Sequence, residues 1–455
     1  MKTTLYSFFH PDLTNDKILK ALFTFAFPII ISTLFQQLYN TADTVIVGHF
    51  LGDQSLAAIG ACTAIYELLI GFGTGFGSGL GIVAARYYGA QDIKNLKKVV
   101  ASSLLITLGV TIFIMTLGHF GLMPLLNFLG TPESIIEESF SYIWTVAIWS
   151  GVLFAYNLLS ALLRAIGNSF MPLVFLIISS ILNVILDIVF IKYCSLGVRG
   201  TAIATVLAQG ISALLCLLYI CLKTKILIPH KKSFSFSKNI YKDLLEQGFS
   251  MALMSAIVSS GSVILQSSIN SFRENVIEGH ISARKIFSLS MIPITAFGVA
   301  SSTFVSQNLG AKKYDRIKKG VLCADITLLI YGLLCTLIIP FIAPKLIFFI
   351  SGSSNKEVLD YGTKYISFMQ PFYGVLGVLV VTRNSLQGLG TKILPLISSL
   401  IELAGKILFT LLIVPHLGIW GIIICEPLIW VVMTVQLLWS YCRHIKGLSN
   451  KIQSY

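Results

Sequence analysis

Residues 167–191 read GNSFMPLVFLIISSILNVILDIVFI, a run of twenty-five in which Asp187 is the one ionisable group. A helix rises about 1.5 Å per residue, so this run outreaches the roughly 30 Å hydrocarbon core of a bilayer. It predicts a transmembrane helix, and the chain repeats the pattern. Further apolar spans fall at 18–42, 55–83, 97–118, 137–160, 199–222, 245–270, 281–304, 319–341, 361–384, 393–414 and 418–441. Charged residues make up 12% of the 455 and hydrophobic ones 55%, against about 25% charged in soluble proteins. With a mean hydropathy of +0.83 there is too little polar side chain to cover a water-facing surface. The sequence predicts an all-α polytopic membrane protein of twelve transmembrane helices.

The net charge of +13 suggests nucleic acid until its distribution is read. Of the 33 Lys and Arg, 23 fall in the termini and the even-numbered loops, while the odd-numbered loops hold five: Lys192, Arg199, Arg273, Lys345 and Lys356. That asymmetry is the positive-inside signature, which places both termini in the cytoplasm. Contact with anionic lipid follows from it, and no nucleic-acid partner is expected. The first apolar stretch is too long for a signal-peptide core and lacks a small-residue cleavage site, so it is expected to remain as the first membrane helix. The eight cysteines show no CxxC or Cys/His spacing. They read as small apolar core residues rather than a disulfide framework or a metal site, and no cofactor is expected.

The polar stretch 223–243 divides the chain into halves that look alike. Gly89-Ala90 with Lys97-Lys98 recurs as Gly310-Ala311 with Lys318-Lys319, a shift of 221. Leu196-Gly197-Val198-Arg199-Gly200 recurs as Leu417-Gly418-Ile419-Trp420-Gly421 at the same shift. Arg164 to Asn168 with Pro172 resembles Gln387 to Thr391 with Pro395, shifted by 223. Several matches at nearly one offset predict a duplication: an N-lobe of residues 1–222, a cytoplasmic linker of 223–243 and a C-lobe of 244–455. Six helices per copy means both copies enter the membrane from the same side. The repeats are then parallel, with a pseudo-two-fold axis along the membrane normal and a cleft between the lobes.

Three carboxylates, Asp43, Glu67 and Asp187, lie in the N-lobe spans with no Lys or Arg in the helix interiors beside them. A charged side chain at helix centre costs about 2.5–3.5 kcal/mol on insertion scales, which marks such residues as functional candidates. Asn183 precedes Asp187 by one turn and shares its helix face. Counting rise along the helices puts Asp43, Asp187 and Thr205 in the same half of the membrane. Two carboxylates at one depth titrate as a coupled pair and serve a proton antiporter; with both ionised, Asn183 and Thr205 supply further hard oxygen ligands for Na⁺. The competing reading is that Asp43 and Asp187 are hydrated caps near helix ends. Pro28 inside the first helix removes a backbone hydrogen bond and predicts a kink. Glycines at 71, 73, 75, 77, 79 and 81 predict close helix approach. The spans of the second half carry both signs in Arg284, Asp325, Arg383, Glu402, Lys406 and Glu426. Glu402 and Lys406, at i,i+4, are expected to pair, with Glu402 as a substrate contact the alternative.

Phe27-Pro28, Gln36 and Asn40 to Gly48 in the first predicted helix, then Leu56 to Gly60, Arg86 to Ala90, Leu182 to Asp187 and Gly197 to Ala202 form a series in order along the chain. Together they resemble the MATE (multidrug and toxic compound extrusion) family of the MOP flippase superfamily. The resemblance implies an antiporter exporting amphipathic, often cationic drugs or toxins in exchange for H⁺ or Na⁺ by alternating access. The lack of a signal or organelle-targeting segment and the Lys/Ile/Leu-rich composition point to a multi-pass protein of a bacterial plasma (inner) membrane, and a monomer is expected. The resemblance also implies coupling at Asp43, Asp187 and Asn183, with Thr205 and Asn157 as partners, and a substrate cavity to which Gln36, Tyr39, Glu67 and Glu402 are candidates. A second branch of the family uses acids on helices seven and ten. Here span seven has only Glu246 at its entry and span ten carries Arg383 and no acid, which favours the N-lobe mechanism. The alternative is a lipid-linked oligosaccharide flippase of the same superfamily. An intramembrane enzyme is disfavoured by the lack of HExxH, GxSxG or a membrane His pair. A channel is disfavoured by the lack of a repeated filter loop, and an ATP-driven pump by the missing P-loop.

Overall fold

The computed structural model describes residues 11–453, with side chains as far as Gly447; the first ten and last two residues of the expected lobes lie outside the described residues. No strand occurs among them. In chain order the helices are α1 (Ile18–Leu51), α2 (Asp53–Gly89), α3 (Ile93–Phe128), α4 (Glu133–Ile148), α5 (Ser150–Ala165), α6 (Phe170–Ile188) and α7 (Gly197–Lys223). After two short 3-10 turns come α8 (Lys238–Ile269), α9 (Glu274–Gly310), α10 (Tyr314–Ser351), α11 (Lys356–Met369), α12 (Tyr373–Gly388), α13 (Ile393–Leu408), the single turn α14 (Val414–Leu417) and α15 (Ile419–Gln453). Eleven spans are long and apolar enough to cross a membrane, and the pair α4–α5, bent by 46°, makes a twelfth. The protein is a multi-pass membrane protein of the expected helix number.

Two spans are broken where continuous helices are expected. In the fourth, the chain bends at Trp149, where Val152 N–H donates to the Trp149 carbonyl at 3.0 Å in a tightened turn. In the tenth, a 3-10 turn at Gln370–Phe372 separates α11 from α12; Pro371 has no N–H to continue the ladder. Helix ten also begins earlier than hydropathy indicates, because Asn355 Oδ1 accepts from Glu357 N–H at 2.9 Å and caps it. Glu357 and Asp360 therefore belong to its first turns, which corrects the expectation of a helix ten free of acids. By the same extension α8 starts at Lys238 and includes Asp243, salt-bridged to Arg86 at 3.0 Å.

The backbone carries the duplication more plainly than the side chains do. Ten described residues have positive φ, and eight of them fall into four pairs: Gln91 (54°) with Lys312 (58°), Gly130 (72°) with Gly352 (68°), Gly167 (91°) with Gly390 (82°), and Gly197 (56°) with Gly418 (55°). The shifts are 221, 222, 223 and 221. A π-helical turn follows α6 at Val189–Tyr193 and recurs after α13 at Phe409–Ile413. Left-handed turns and π-turns are costly and local, so their recurrence at one offset identifies two copies of one six-span plan.

The described chain forms two compact units. The first holds Phe27–Ser255 with residues 11–12; the second holds Leu13–Ala26 and Ala256 onward. The polar stretch 223–243 lies wholly in the first unit, and the unit boundaries fall inside α1, next to Pro28, and inside α8. The first unit's core gathers Phe76, Leu80, Val99, Phe154, Leu158, Leu162 and Cys216. Its tightest contacts come from α2, where the glycines alternate between two neighbours. A Cβ on Gly75 or Gly79 would lie 2.6 Å from the Met251 or Gln247 carbonyl oxygen of α8; one on Gly77 or Gly81 would meet Asn157 or Ala161 of α5. The GxxxG spacing thus seats a helix on each side. In the second unit Gly332 of α10 and Gly374 of α12 touch backbone to backbone in the same manner. Large apolar side chains such as Phe128 (87% exposed), Phe341 (83%) and Phe349 (85%) cover the helix exteriors, the surface a hydrocarbon solvent requires.

Candidate functional site

In the first unit, α1, α2, α5, α6 and α7 surround a narrow polar cavity of about 30 Å³. Gln36 and Tyr39 come from α1, Thr74 from α2, Tyr156 and Asn157 from α5, Asn183 from α6, and Thr205 and Gln209 from α7. Helix periodicity explains the α6 wall. Ser179, Asn183 and Asp187 are spaced by four and stand one above another on one face, and that face is buried (5%, 2% and 0% exposed) while Ile181 and Ile185 opposite are not. Ser179 is held by Ser212 of α7, whose Oγ donates to it at 2.7 Å. Asn157 donates through Nδ2 to the Leu153 carbonyl at 2.9 Å, which keeps its Oδ1 available.

One turn beyond this wall, Asp43 of α1 and Asp187 of α6 bring their carboxyl groups within hydrogen-bonding reach of each other. Asp43 Oδ1 and both oxygens of Asp187 are buried and receive no hydrogen bond from any described residue; Asn183 Oδ1 and Nδ2 and Thr201 Oγ1 are equally unpartnered. An unsatisfied buried polar atom costs about 1–3 kcal/mol, and two carboxylates 4 Å apart repel by roughly 4 kcal/mol at an effective dielectric of 20. A cluster of such atoms in one place has the chemistry to take up a proton or a cation. Asp187 is fully buried and is followed by a π-turn rather than by solvent, so it is not a hydrated helix cap. No group of three or more His, Cys, Asp or Glu forms a metal centre among the described residues. A cation here relies on two carboxylates and neutral oxygens, a donor set suited to H⁺ or to a hard monovalent ion.

The family model described as MatE matches residues 28–189 and again 250–412, starting and ending at shifts of 222 and 223. The chain belongs to the MatE family. Among curated relatives it is similar to the probable multidrug resistance proteins YpnP and YoeA of Bacillus subtilis. Identity to YpnP is 27% over 86% of this chain and 87% of the relative, and to YoeA 26% over 90% of each. Its fold resembles that in the crystal structure of MATE in complex with MaL6, with a TM-score of 0.89 and 24% identity, covering 96% of this chain and 98% of that one. This MATE chain is therefore a membrane transporter and not an enzyme.

Within this MATE structure Asp43, Asp187, Asn183, Thr205, Asn157, Gln36 and Tyr39 all converge on the one unit. Tyr39 stands in polar contact with Gln36 and Gln209 and one turn below Asp43. Glu67 does not line the cavity; it is exposed on α2. Glu402 lies in the second unit, its Oε1 3.0 Å from Lys406 Nζ, and is 8% exposed. Lys406 is also 3.6 Å from Glu426, which Arg284 binds at 2.7 Å, and Arg383 lies 3.7 Å from Glu402. Asp325 stands apart from these, with Tyr441 as its electrostatic neighbour. Sequence reading missed Thr74, Ser179 and Gln209, whereas Tyr156 stood among the aromatic residues it offered for a cavity wall. The i, i+4, i+8 stripe Ser179, Asn183, Asp187 was available as a signal for the α6 wall; Thr74 had none, since its helix carries polar residues on several faces.

Proposed function

We propose that this MATE transporter exports amphipathic, often cationic, compounds in exchange for H⁺ or Na⁺, and that the Asp43–Asp187 pair holds the coupling ion. The observation carrying this reading is the pair itself: half-buried Asp43 beside fully buried Asp187, with three of their four carboxyl oxygens buried and without a hydrogen-bond partner, at the end of a polar cavity. The names of the curated relatives support multidrug export as the class of activity. In this reading the pair is relieved of its repulsion when a cation or proton arrives. Asn183 and Thr205 turn neutral oxygens towards the incoming ion, and Asn157, Gln36 and Tyr39 form the polar wall whose character changes with occupancy. Since α1 supplies Gln36, Tyr39 and Asp43 from one face, ion binding and cavity shape are linked through one helix. Alternating access then needs an element with two arrangements biased by the ion, and α1 is that element.

The test is ethidium efflux from cells lacking their own major pumps, comparing wild type with Asp43→Asn and Asp187→Asn at matched membrane expression. A loss of roughly tenfold or more in both variants is expected, since each removes an interaction worth more than about 1.4 kcal/mol. Dissipating the pH gradient or the Na⁺ gradient separately identifies the ion. Wild-type rates in both variants would overturn the assignment of the pair, and absence of wild-type efflux across several cationic dyes would overturn the export reading.

A further inference from the structure

The second unit gathers five charged side chains deep in its spans, and their pairing is lopsided. The short contacts are Arg284 Nη1 to Glu426 Oε2 at 2.7 Å and Lys406 Nζ to Glu402 Oε1 at 3.0 Å. Both acids are thereby matched with a cation each. Arg383 is the third cation and has to share an acid: its nearest carboxylate oxygen is Glu402 Oε2, 3.7 Å from Nη2, an ion pair longer than a hydrogen bond with an acid that Lys406 already holds at 3.0 Å. Three cations against two anions leave one positive charge over inside the bundle. The side chain of Arg383 is 11% exposed. Its Nε and Nη2 are both buried without a hydrogen-bond partner among the described residues. These two nitrogens form the side-on edge of the guanidinium, where parallel N–H groups meet both oxygens of a carboxylate or phosphate. A structural ion network would satisfy its donors; this one satisfies every member except the surplus one.

We propose that the Nε–Nη2 edge of Arg383 is an anion seat, taking the carboxylate or phosphate group of an otherwise lipophilic molecule. The inference rests on the export reading for one of its two sources: the acid group of an exported zwitterion or amphiphilic anion. The other source is an anionic lipid headgroup, which presents the same chemistry. The seat gives the second unit a role complementary to that of the acidic first unit. A molecule with both a cationic and an anionic end is distinguished from a plain cation by Arg383.

The test uses the purified full chain in phosphatidylcholine nanodiscs and a matched pair of fluorescent probes, rhodamine 110 and its methyl ester rhodamine 123, which differ in the free carboxylate. Anisotropy titrations are expected to show wild type preferring the acid by about tenfold, the scale of one charge-assisted bidentate contact. Arg383→Gln is expected to shrink the ratio of the two dissociation constants towards one. Arg383→Lys, which keeps the charge and so the folding but loses the side-on fork, is expected to lie between, and it carries the test if Arg383→Gln does not fold. Equal binding of acid and ester by wild type, or a preference that survives in both variants, overturns the proposal. If neither rhodamine binds while ethidium is bound, the anion seat falls and the export reading stands; if ethidium is neither bound nor exported, the export reading fails first. Adding phosphatidylglycerol to the discs separates the sources. A preference that persists places a substrate's acid group at Arg383, and a preference abolished by the lipid in wild type places the headgroup there.

Discussion

At Gly79 a single methyl group would sit 2.6 Å from the Gln247 carbonyl oxygen, a position no side-chain rearrangement relieves because the obstacle is backbone. Gly60, on the same helix, has nothing within 4 Å of the corresponding point. Gly79→Ala is therefore expected to lower stability by about 1–3 kcal/mol through overpacking, whereas Gly60→Ala is expected to be neutral or to gain up to about 1 kcal/mol from helix propensity. Thermal unfolding of the two purified variants in detergent decides it; equal melting temperatures would show that α2 and α8 separate at no cost. Charge follows the same logic of local surroundings. Lys406 is 3% exposed and stands between Glu402 and Glu426. Replacing it with Met takes the close partner from buried Glu402 and is expected to cost about 3–5 kcal/mol. Lys364→Met, which breaks an ion pair with Asp360 that is more than half exposed, is expected to cost under about 1 kcal/mol.

Helices as units were largely legible from hydropathy, because the bilayer imposes one length and one composition on every span. What hydropathy does not report is where a span bends. Pro371 marks one break that hydropathy passed over, and the bend at Trp149 has no proline to mark it. The acidic pair was half legible: each carboxylate is visible as an isolated charge in an apolar run, but their contact depends on the rotation of α1 against α6, which no one-dimensional pattern encodes. Pro28 belongs to this scale. It deprives the Thr24 carbonyl of a donor, and Ser32 Oγ bonds the Pro28 carbonyl at 2.8 Å. Pro28→Ala restores the helix ladder and is expected to leave folding intact or improve it while slowing ethidium efflux several-fold if bending of α1 is part of transport. Unchanged efflux rates at matched expression would reduce the proline to a static feature.

For the whole molecule, the duplication visible in a few sequence matches is written into the backbone by four pairs of left-handed residues and two π-turns. The N-terminal segment ahead of α1 is tied down by the second unit. Asn308 Nδ2 donates to the Leu13 carbonyl at 3.0 Å, Lys313 Nζ to the Thr14 carbonyl at 3.0 Å and to Asn15 Oδ1 at 2.6 Å, and Arg316 bonds the carbonyls of Leu13 and Asp16. Phe23 stacks edge-on against Phe297 at 5.0 Å. Removing Lys313 and Arg316 together by alanine substitution is expected to lower stability by about 1–3 kcal/mol and to free the backbone around Lys17, whose side chain is already exposed, for cleavage by trypsin. Resistance to cleavage equal to wild type would show that the tie contributes nothing.

Composition, span length, loop charge and repeat offset are sums along the chain, and they sufficed for the class of protein, the number of spans, the duplication and the identity of the lone acids. The polar cavity, the Asp43–Asp187 contact and the surplus charge at Arg383 required the tertiary structure. Each depends on which faces of two to five helices turn inward and on distances of a few ångströms between residues far apart in sequence. Those quantities arise from helix packing, where glycine contacts and side-chain volumes decide the rotation of every helix.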